Sequence, residues 1–335
     1  MTVLVCPSQG SRPGSSEADP IVIGLVNNMP DAALRSTERQ FLELFSAASG
    51  AHSVRLRLLS VPQVPRGEAG RAHVSLCYED IGKVWDDHFD GLIVTGTEPR
   101  ARVLQDEPFW PALAALVDWA EDHTVSTIWS CLAAQIAVLR SDGIVRRPFG
   151  WKLSGVFACT KAAEHPMTTG FPSRWWVPQT RYNDLPEPAL VASGYRILSR
   201  MADAGADIFV RDGKSLFVLI QGHPEYDPGA LCREYRRDVG RFLSGERDTY
   251  PDLLRGYFDE GTEAALEAFR CRALQTRDPA MLASLADAVA GWTPIHGWRE
   301  PAVRLYANWL SFLAQRKYGS ADAAVETRRA VAASL

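Results

Sequence analysis

The strongest constraint in this chain is a set of short, almost wholly apolar runs that each stop at a glycine or a polar loop. Ile21-Val22-Ile23-Gly24-Leu25-Val26 ends at Asn27-Asn28-Met29-Pro30. Residues 89–96 run through Leu92-Ile93-Val94 into Thr95-Gly96, and residues 126–130 end directly at Cys131. Runs of this length without alternation predict strands buried on both faces, as in a parallel sheet. Helical patterns lie between and after them, at 31–49 (with Leu34, Phe41, Leu42, Leu44 and Phe45), 113–119 and 133–139. Residues 54–61 alternate, with Val54, Leu56 and Leu58 against Arg55 and Arg57, and predict a further strand. Residues 208–210 and 216–220, bridged by Asp212-Gly213-Lys214, predict a hairpin that delivers Gln221-Gly222-His223. The expected fold is therefore α/β, a three-layer sandwich around a mostly parallel sheet. In such folds chemistry collects beyond the carboxyl ends of the strands, which points to the loops at 27–30, 95–100, 131–135 and 221–227.

Outside this alternation the pattern changes. Residues 1–18 are rich in Ser, Gly and Pro and read as a flexible leader before a domain at 19–245. Beyond about residue 245 the strand signals stop, and 253–291 and 302–317 are helical in pattern. Residues 246–335 thus read as a helical extension packed on the core. No apolar run approaches membrane-spanning length, and the first residues lack the basic start and apolar core of a signal peptide, so the expected place is the cytoplasm. A net charge of -4 gives no reason to expect nucleic acid or an anionic membrane as partner. The six cysteines are scattered, without a CxxC pair or a histidine at ligand spacing, so neither a disulfide framework nor a metal site is expected.

Cys131 stands between a strand pattern and a helix start. Such an elbow lifts a nucleophile out of the sheet and aims the positive end of the following helix at the thiol. The plain alternative is a buried cysteine at a strand end. His223-Pro224-Glu225 supplies what a nucleophilic thiol needs: an imidazole to move its proton and a carboxylate to orient that imidazole. On its own an HxE is a common surface-loop sequence; paired with an elbow cysteine it is far more specific.

With these residues in place the chain resembles the homoserine O-acyltransferases (O-succinyl- and O-acetyltransferases), relatives of the class I glutamine amidotransferases. The likeness rests on Asn27-Asn28-Met29-Pro30, Phe89 to Gly96, Lys152-Leu153-Ser154-Gly155-Val156 and Gly222-His223-Pro224-Glu225-Tyr226-Asp227. It continues through Glu234-Tyr235-Arg236-Arg237-Asp238 and Asn308-Trp309-Leu310. The resemblance implies that Cys131 attacks an acyl-CoA thioester, with His223 as base and Glu225 as its partner. It implies an oxyanion site at the Thr95-Gly96-Thr97 loop and Leu132, and substrate contacts at Lys152, Thr180, Arg181 and Arg237, the last gripping the α-carboxylate of homoserine. It further implies a role in methionine biosynthesis and a homodimer, with acyl-CoA as co-substrate and no resident cofactor. By spacing, Arg100 falls where the family separates succinyl from acetyl donors; its guanidinium suits a succinyl carboxylate, so succinyl is favoured and acetyl stays open.

The chain also departs from the pattern, with Leu132 in place of the usual Trp and Gln179-Thr180-Arg181 in place of His-Ser-Arg. These departures keep serine or a similar amino alcohol open as acceptor. The same cysteine and histidine would also serve a glutamine amidotransferase or a cysteine hydrolase, and the fold can carry an inactive binding module.

Overall fold

The computed structural model describes residues 3–5 and 19–333, with side chains described for 19–319. The rest of the expected leader lies outside the described residues, while Val3–Val5 is a strand, β1, where none was expected. In chain order there follow β2 (Ile21–Val26), α1 (Asp31–Ala48), β3 (Val54–Leu59), α2 (Glu68–Cys77) and β4 (Gly91–Val94). Then come α3 (Trp110–His123), β5 (Ser126–Ser130), α4 (Leu132–Asp142), β6 (Arg147–Lys161), β7 (Arg174–Asp184) and α5 (Glu187–Ala192). Short strands β8 (Arg196–Ile197), β9 (Ser199–Met201) and β10 (Gly205–Ala206) precede β11 (Ile208–Arg211) and β12 (Leu216–Ile220). The chain closes with α6 (Ala230–Leu243), α7 (Glu260–Thr276), α8 (Leu282–Ala288) and α9 (Arg299–Ala333).

The main sheet has strand order β1-β3-β2-β4-β5-β12-β11-β8 and is parallel from β1 through β12, with β11 and β8 antiparallel at one edge. Period two decides which side chain meets which layer. Ile21, Ile23, Leu25, Ile93, Ile128 and Val218 pack with Phe41 and Phe45 of α1 and Tyr306 and Trp309 of α9. Leu92, Val94, Trp129, Phe217 and Leu219 face the opposite layer, against Leu113 and Leu116 of α3 and Ala133 and Ile136 of α4. Each fully buried aliphatic or Phe side chain contributes about 1.5–3 kcal/mol relative to exposure. The three-layer α/β sandwich is thus present as expected.

Two features of the arrangement were not foreseen from the sequence. A second, antiparallel sheet of order β10-β9-β6-β7 occupies residues that were not read as strands. And α9 forms part of the sandwich layer that covers the sheet: Trp309 is 0 % exposed, and its indole Nε1 donates to Ser126 Oγ on β5 at 2.9 Å. A Cβ on Gly91 would lie 2.7 Å from the Trp309 ring, so β4 starts with glycine because the indole lies on it. Helices α6, α7 and α8 bury a separate apolar cluster that includes Tyr235, Phe242, Phe269 and Leu285. No helix among the described residues is long and apolar enough to cross a membrane.

Candidate active site

Strand register alone brings the candidate groups together. β12 pairs in parallel with β5, Ile220 opposite Ser130, so the next residues, Gln221 and Cys131, leave the sheet side by side. The Cys131 amide donates to the Ile220 carbonyl at 2.7 Å, which fixes this junction. On the other flank Val94 pairs with Trp129, so Thr95 and Gly96 leave β4 beside the same elbow. Three strand ends converge on one thiol.

Cys131 is half-buried and holds φ 53°, ψ -112°, a conformation that costs a non-glycine residue of order 1–3 kcal/mol. The strain lets the chain reverse from strand to helix within one residue, and α4 starts at Leu132 with its N-terminus at the thiol. Close packing of the buried Ala133 and Ala134 against the neighbouring layer holds the turn in place. A Cβ on Gly96 would lie 3.0 Å from the Leu132 amide nitrogen, so glycine is what lets the 95–97 loop come against the elbow. Thr95 itself is turned away: its hydroxyl accepts from the Asn28 amide at 2.9 Å and donates to the Gly96 carbonyl at 3.1 Å. It braces the loop, and Gly96, Thr97 and Leu132 line the cavity.

His223 and Glu225 are both buried, and His223 Nδ1 lies 2.9 Å from Glu225 Oε1. Nε2, on the other side of the ring, makes no hydrogen bond of ordinary geometry, and Cys131 is one of the two groups whose charge acts on the ring. Burial works against charge on this imidazole. The negative charges of Cys131 and Glu225 on either side outweigh it and hold its pKa well above the usual histidine value. Tyr226 stacks on the ring, centroids 4.3 Å apart and planes 22° from parallel, and the Tyr226 carbonyl accepts from Trp298 Nε1 at 2.7 Å. The imidazole is therefore fixed in position by a hydrogen bond at its edge and an aromatic face over its plane.

The cavity in front of Cys131 holds about 630 Å³. Six arginines and lysines line it (Arg146, Lys152, Arg181, Arg237, Arg241, Arg247) against four carboxylates (Glu98, Glu234, Asp238, Glu246). Lys152 Nζ donates to Asp238 Oδ2 at 2.7 Å and lies 3.7 Å from Glu234 Oε2. Arg237 Nη2 is 3.1 Å from Asp238 Oδ1. Burial would raise the Asp238 pKa, but Lys152 and Arg237 outweigh it and keep the carboxyl below its ordinary range. Thr180 donates to Glu234 Oε2 at 2.7 Å, and the other Glu234 oxygen accepts from Tyr226. Lys152, Thr180 and Arg237 thus meet in one polar cluster on the wall opposite the elbow.

Two further expected site residues, Arg181 and Arg100, stand apart from this cluster. Arg181 touches the cavity but is 3 % exposed, with its guanidinium bonded to Gln179 Oε1, Asn183 O, Asp184 Oδ1, Gln221 Oε1 and Ala204 O. Five protein acceptors commit it to tying β7 to the strand end that carries His223. Arg100 is exposed and does not line the cavity. Buried Glu107 accepts from the backbone amides of Arg100 and Ala101 and sets the course of the loop there. Of the charged residues in that loop it is Glu98 that lines the cavity, paired with Arg241 at 2.6 Å. Glu98, Arg146, Arg241 and Arg247 were missed in the sequence, since single charges in loops and on a helix carry no periodic signal.

Among the described residues no cluster of three or more His, Cys, Asp or Glu is spaced to hold a metal ion. The solved glutamine amidotransferase from Thermotoga maritima is similar in fold, with a TM-score of 0.51 at 12% identity over 88% of this chain and 99% of that one. In sequence, the chain is 50% identical over 300 residues to a homoserine O-succinyltransferase of Rhodopseudomonas palustris, covering 90% of each. It is 49% identical over 294 residues to one from Methylorubrum extorquens, covering 88% of this chain and 87% of the relative. The family model for homoserine O-succinyltransferase matches residues 5–319. An elbow cysteine, a buried His–Glu pair and a cationic cavity on this fold, with a family match across nearly the whole chain, place the protein in the homoserine O-succinyltransferase family of O-acyltransferases.

Proposed function

We propose that this chain transfers a succinyl group from succinyl-CoA to the hydroxyl of L-homoserine, by way of a thioester on Cys131. The observation that carries the reading is the elbow geometry, with Cys131 between the His223–Glu225 pair and the Gly96–Leu132 contact at the mouth of a cationic cavity. In the first half-reaction the Cys131 thiolate attacks the thioester carbonyl. The oxyanion is held by backbone N–H groups at Leu132 and the 96–97 loop, donors that need no reorganisation as charge develops. The carbon–sulfur bond to coenzyme A breaks, and the leaving thiolate takes the proton from His223. In the second, His223 removes the homoserine hydroxyl proton, the oxygen attacks the Cys131 thioester, and O-succinylhomoserine leaves as the Cys131 thiolate is restored.

The polar cluster suits an amino-acid acceptor, because it offers both signs of charge. Arg237 would take the α-carboxylate by its planar fork, and Glu234 and Asp238 the ammonium, with Lys152 balancing the carboxylates. Arg181 would act by positioning Gln221 and hence the His223 loop. The succinyl donor is favoured by the names of the relatives and by the cationic excess of the cavity.

The test is intact-mass measurement of the protein mixed with succinyl-CoA or acetyl-CoA without acceptor, beside Cys131→Ala. The expected result is a succinyl adduct on the wild type, lost in the variant and discharged by homoserine but not by serine. No adduct with either thioester, together with ammonia release from glutamine, overturns the reading in favour of amidotransferase chemistry.

A further inference from the structure

The cations of the cavity are not equivalent. Lys152, Arg181, Arg237, Arg241 and Arg247 each have a carboxylate within 4.0 Å. Among the described residues lining the cavity, Arg146 alone of the arginines and lysines has none. Its hydrogen bond is to a neutral group, Nη1 donating to Gln135 Oε1 at 3.2 Å. Gln135 lies on the first turn of α4, one turn from the elbow, and is itself buried, so the guanidinium is held beside the nucleophile.

Half-buried and without a counter-ion in contact, Arg146 is poorly compensated. Burial lowers its pKa, with Glu107 and the Cys131 thiolate opposing from beyond ion-pair distance. A guanidinium does not lose its proton under ordinary conditions, so the deficit is met by an anion that arrives. Gln135 stands on the first turn of the helix that begins at the elbow, so an anion that meets Arg146 arrives beside Cys131, where the transferred group sits. That group carries its second carboxylate two methylenes from the thioester carbonyl, within the space next to the elbow.

We infer that Arg146 is a donor-specificity residue of this site, gripping the free carboxylate of the succinyl group during acylation of Cys131. This rests on the acyl-transfer reading above. It adds a discriminating charge just before β6, on the cavity wall, to the loop position at Arg100, which does not line the cavity. Acetyl lacks the carboxylate and leaves Arg146 uncompensated, so discrimination arises from a missing partner more than from a tighter fit.

The experiment is single-turnover acylation by succinyl-CoA and acetyl-CoA, followed by coenzyme A release, in wild type, Arg146→Met and Arg146→Lys, with free coenzyme A as competitor. Loss of a charged hydrogen bond predicts that Arg146→Met lowers the succinyl-CoA rate constant per unit concentration about 10- to 100-fold. The acetyl-CoA value and the inhibition by free coenzyme A should stay within about threefold, a change equivalent to less than one neutral hydrogen bond. Arg146→Lys should restore part of the succinyl preference. An equal fall with both donors, a matching loss of inhibition by free coenzyme A, or no change with either donor overturns the inference. The second of these would assign Arg146 to a phosphate of the cofactor moiety. If Arg146→Met does not fold, the succinyl-to-acetyl ratio of Arg146→Lys decides, an unchanged ratio overturning it. A wild type acylated by neither thioester overturns the acyl-transfer reading and this inference with it, whereas succinyl acylation unaffected at position 146 overturns the inference alone.

Discussion

The charge on His223 is set by two neighbours pulling against its burial. With its folded-state pKa raised above the unfolded value, its proton favours the folded chain below about pH 6.5, and that contribution fades as pH climbs through the raised value. Cys131→Ala removes one of the two negative neighbours and leaves Glu225 alone against desolvation. An NMR titration of the His223 ring should therefore show its pKa falling in the variant; an unchanged value would mean that thiol and imidazole do not share a charge pair. The candidate residues were legible in the sequence because Cys131 and His223 each follow a buried strand, and strand ends are where side chains of this fold converge. Arg100 was placed by counting from Thr95, but counting along a loop does not give its path. The grip of Glu107 on two backbone amides there is a tertiary contact that no spacing records.

At the level of elements, the site depends on how closely the 95–97 loop and the start of α4 approach. Gly96→Ala puts a methyl 3.0 Å from the Leu132 nitrogen and 3.1 Å from its Cβ, so the loop must move away from the elbow. On the proposed mechanism this misplaces one oxyanion donor and is expected to slow acylation about 10²- to 10³-fold. Thermal unfolding should change little, because the displaced segment is a loop; a large fall in melting temperature with normal acylation would contradict this. The strands that carry the site were legible as apolar runs buried on both sides. β6 was not read, although Phe149, Trp151, Leu153, Phe157 and Cys159 recur at every second position. Only Leu153, Gly155 and Cys159 of its fifteen residues are buried, so the alternation runs through glycines and half-exposed side chains and not through a continuous apolar run. α2 was missed for a similar reason: Gly70 is its one buried residue, so no apolar stripe marks it.

For the whole molecule, α9 is the element whose importance its sequence understates. Read as part of a helical extension packed on the core, it supplies Tyr306, Trp309, Leu310 and Leu313 to the principal core itself. Trp309→Ala is expected to cost about 3–5 kcal/mol, the range for removing a large buried aromatic. Urea unfolding should show it as a lower midpoint, with acylation retained wherever the variant is folded. Phe41 and Phe45 meet Tyr306 edge-on at 6.1 and 5.6 Å between centroids, so α1 and α9 close over the sheet as a unit although they stand at opposite ends of the sequence. This has a consequence for biosynthesis. As the polypeptide leaves the ribosome from its N-terminus, at about 5–20 residues per second, β2, β4 and β5 emerge long before α9. Gly91, the strand start shaped to accept Trp309, lies bare throughout that interval. Each nascent chain thus carries a partly uncovered apolar sheet until α9 is released, and that interval is when chaperones and aggregation compete for it.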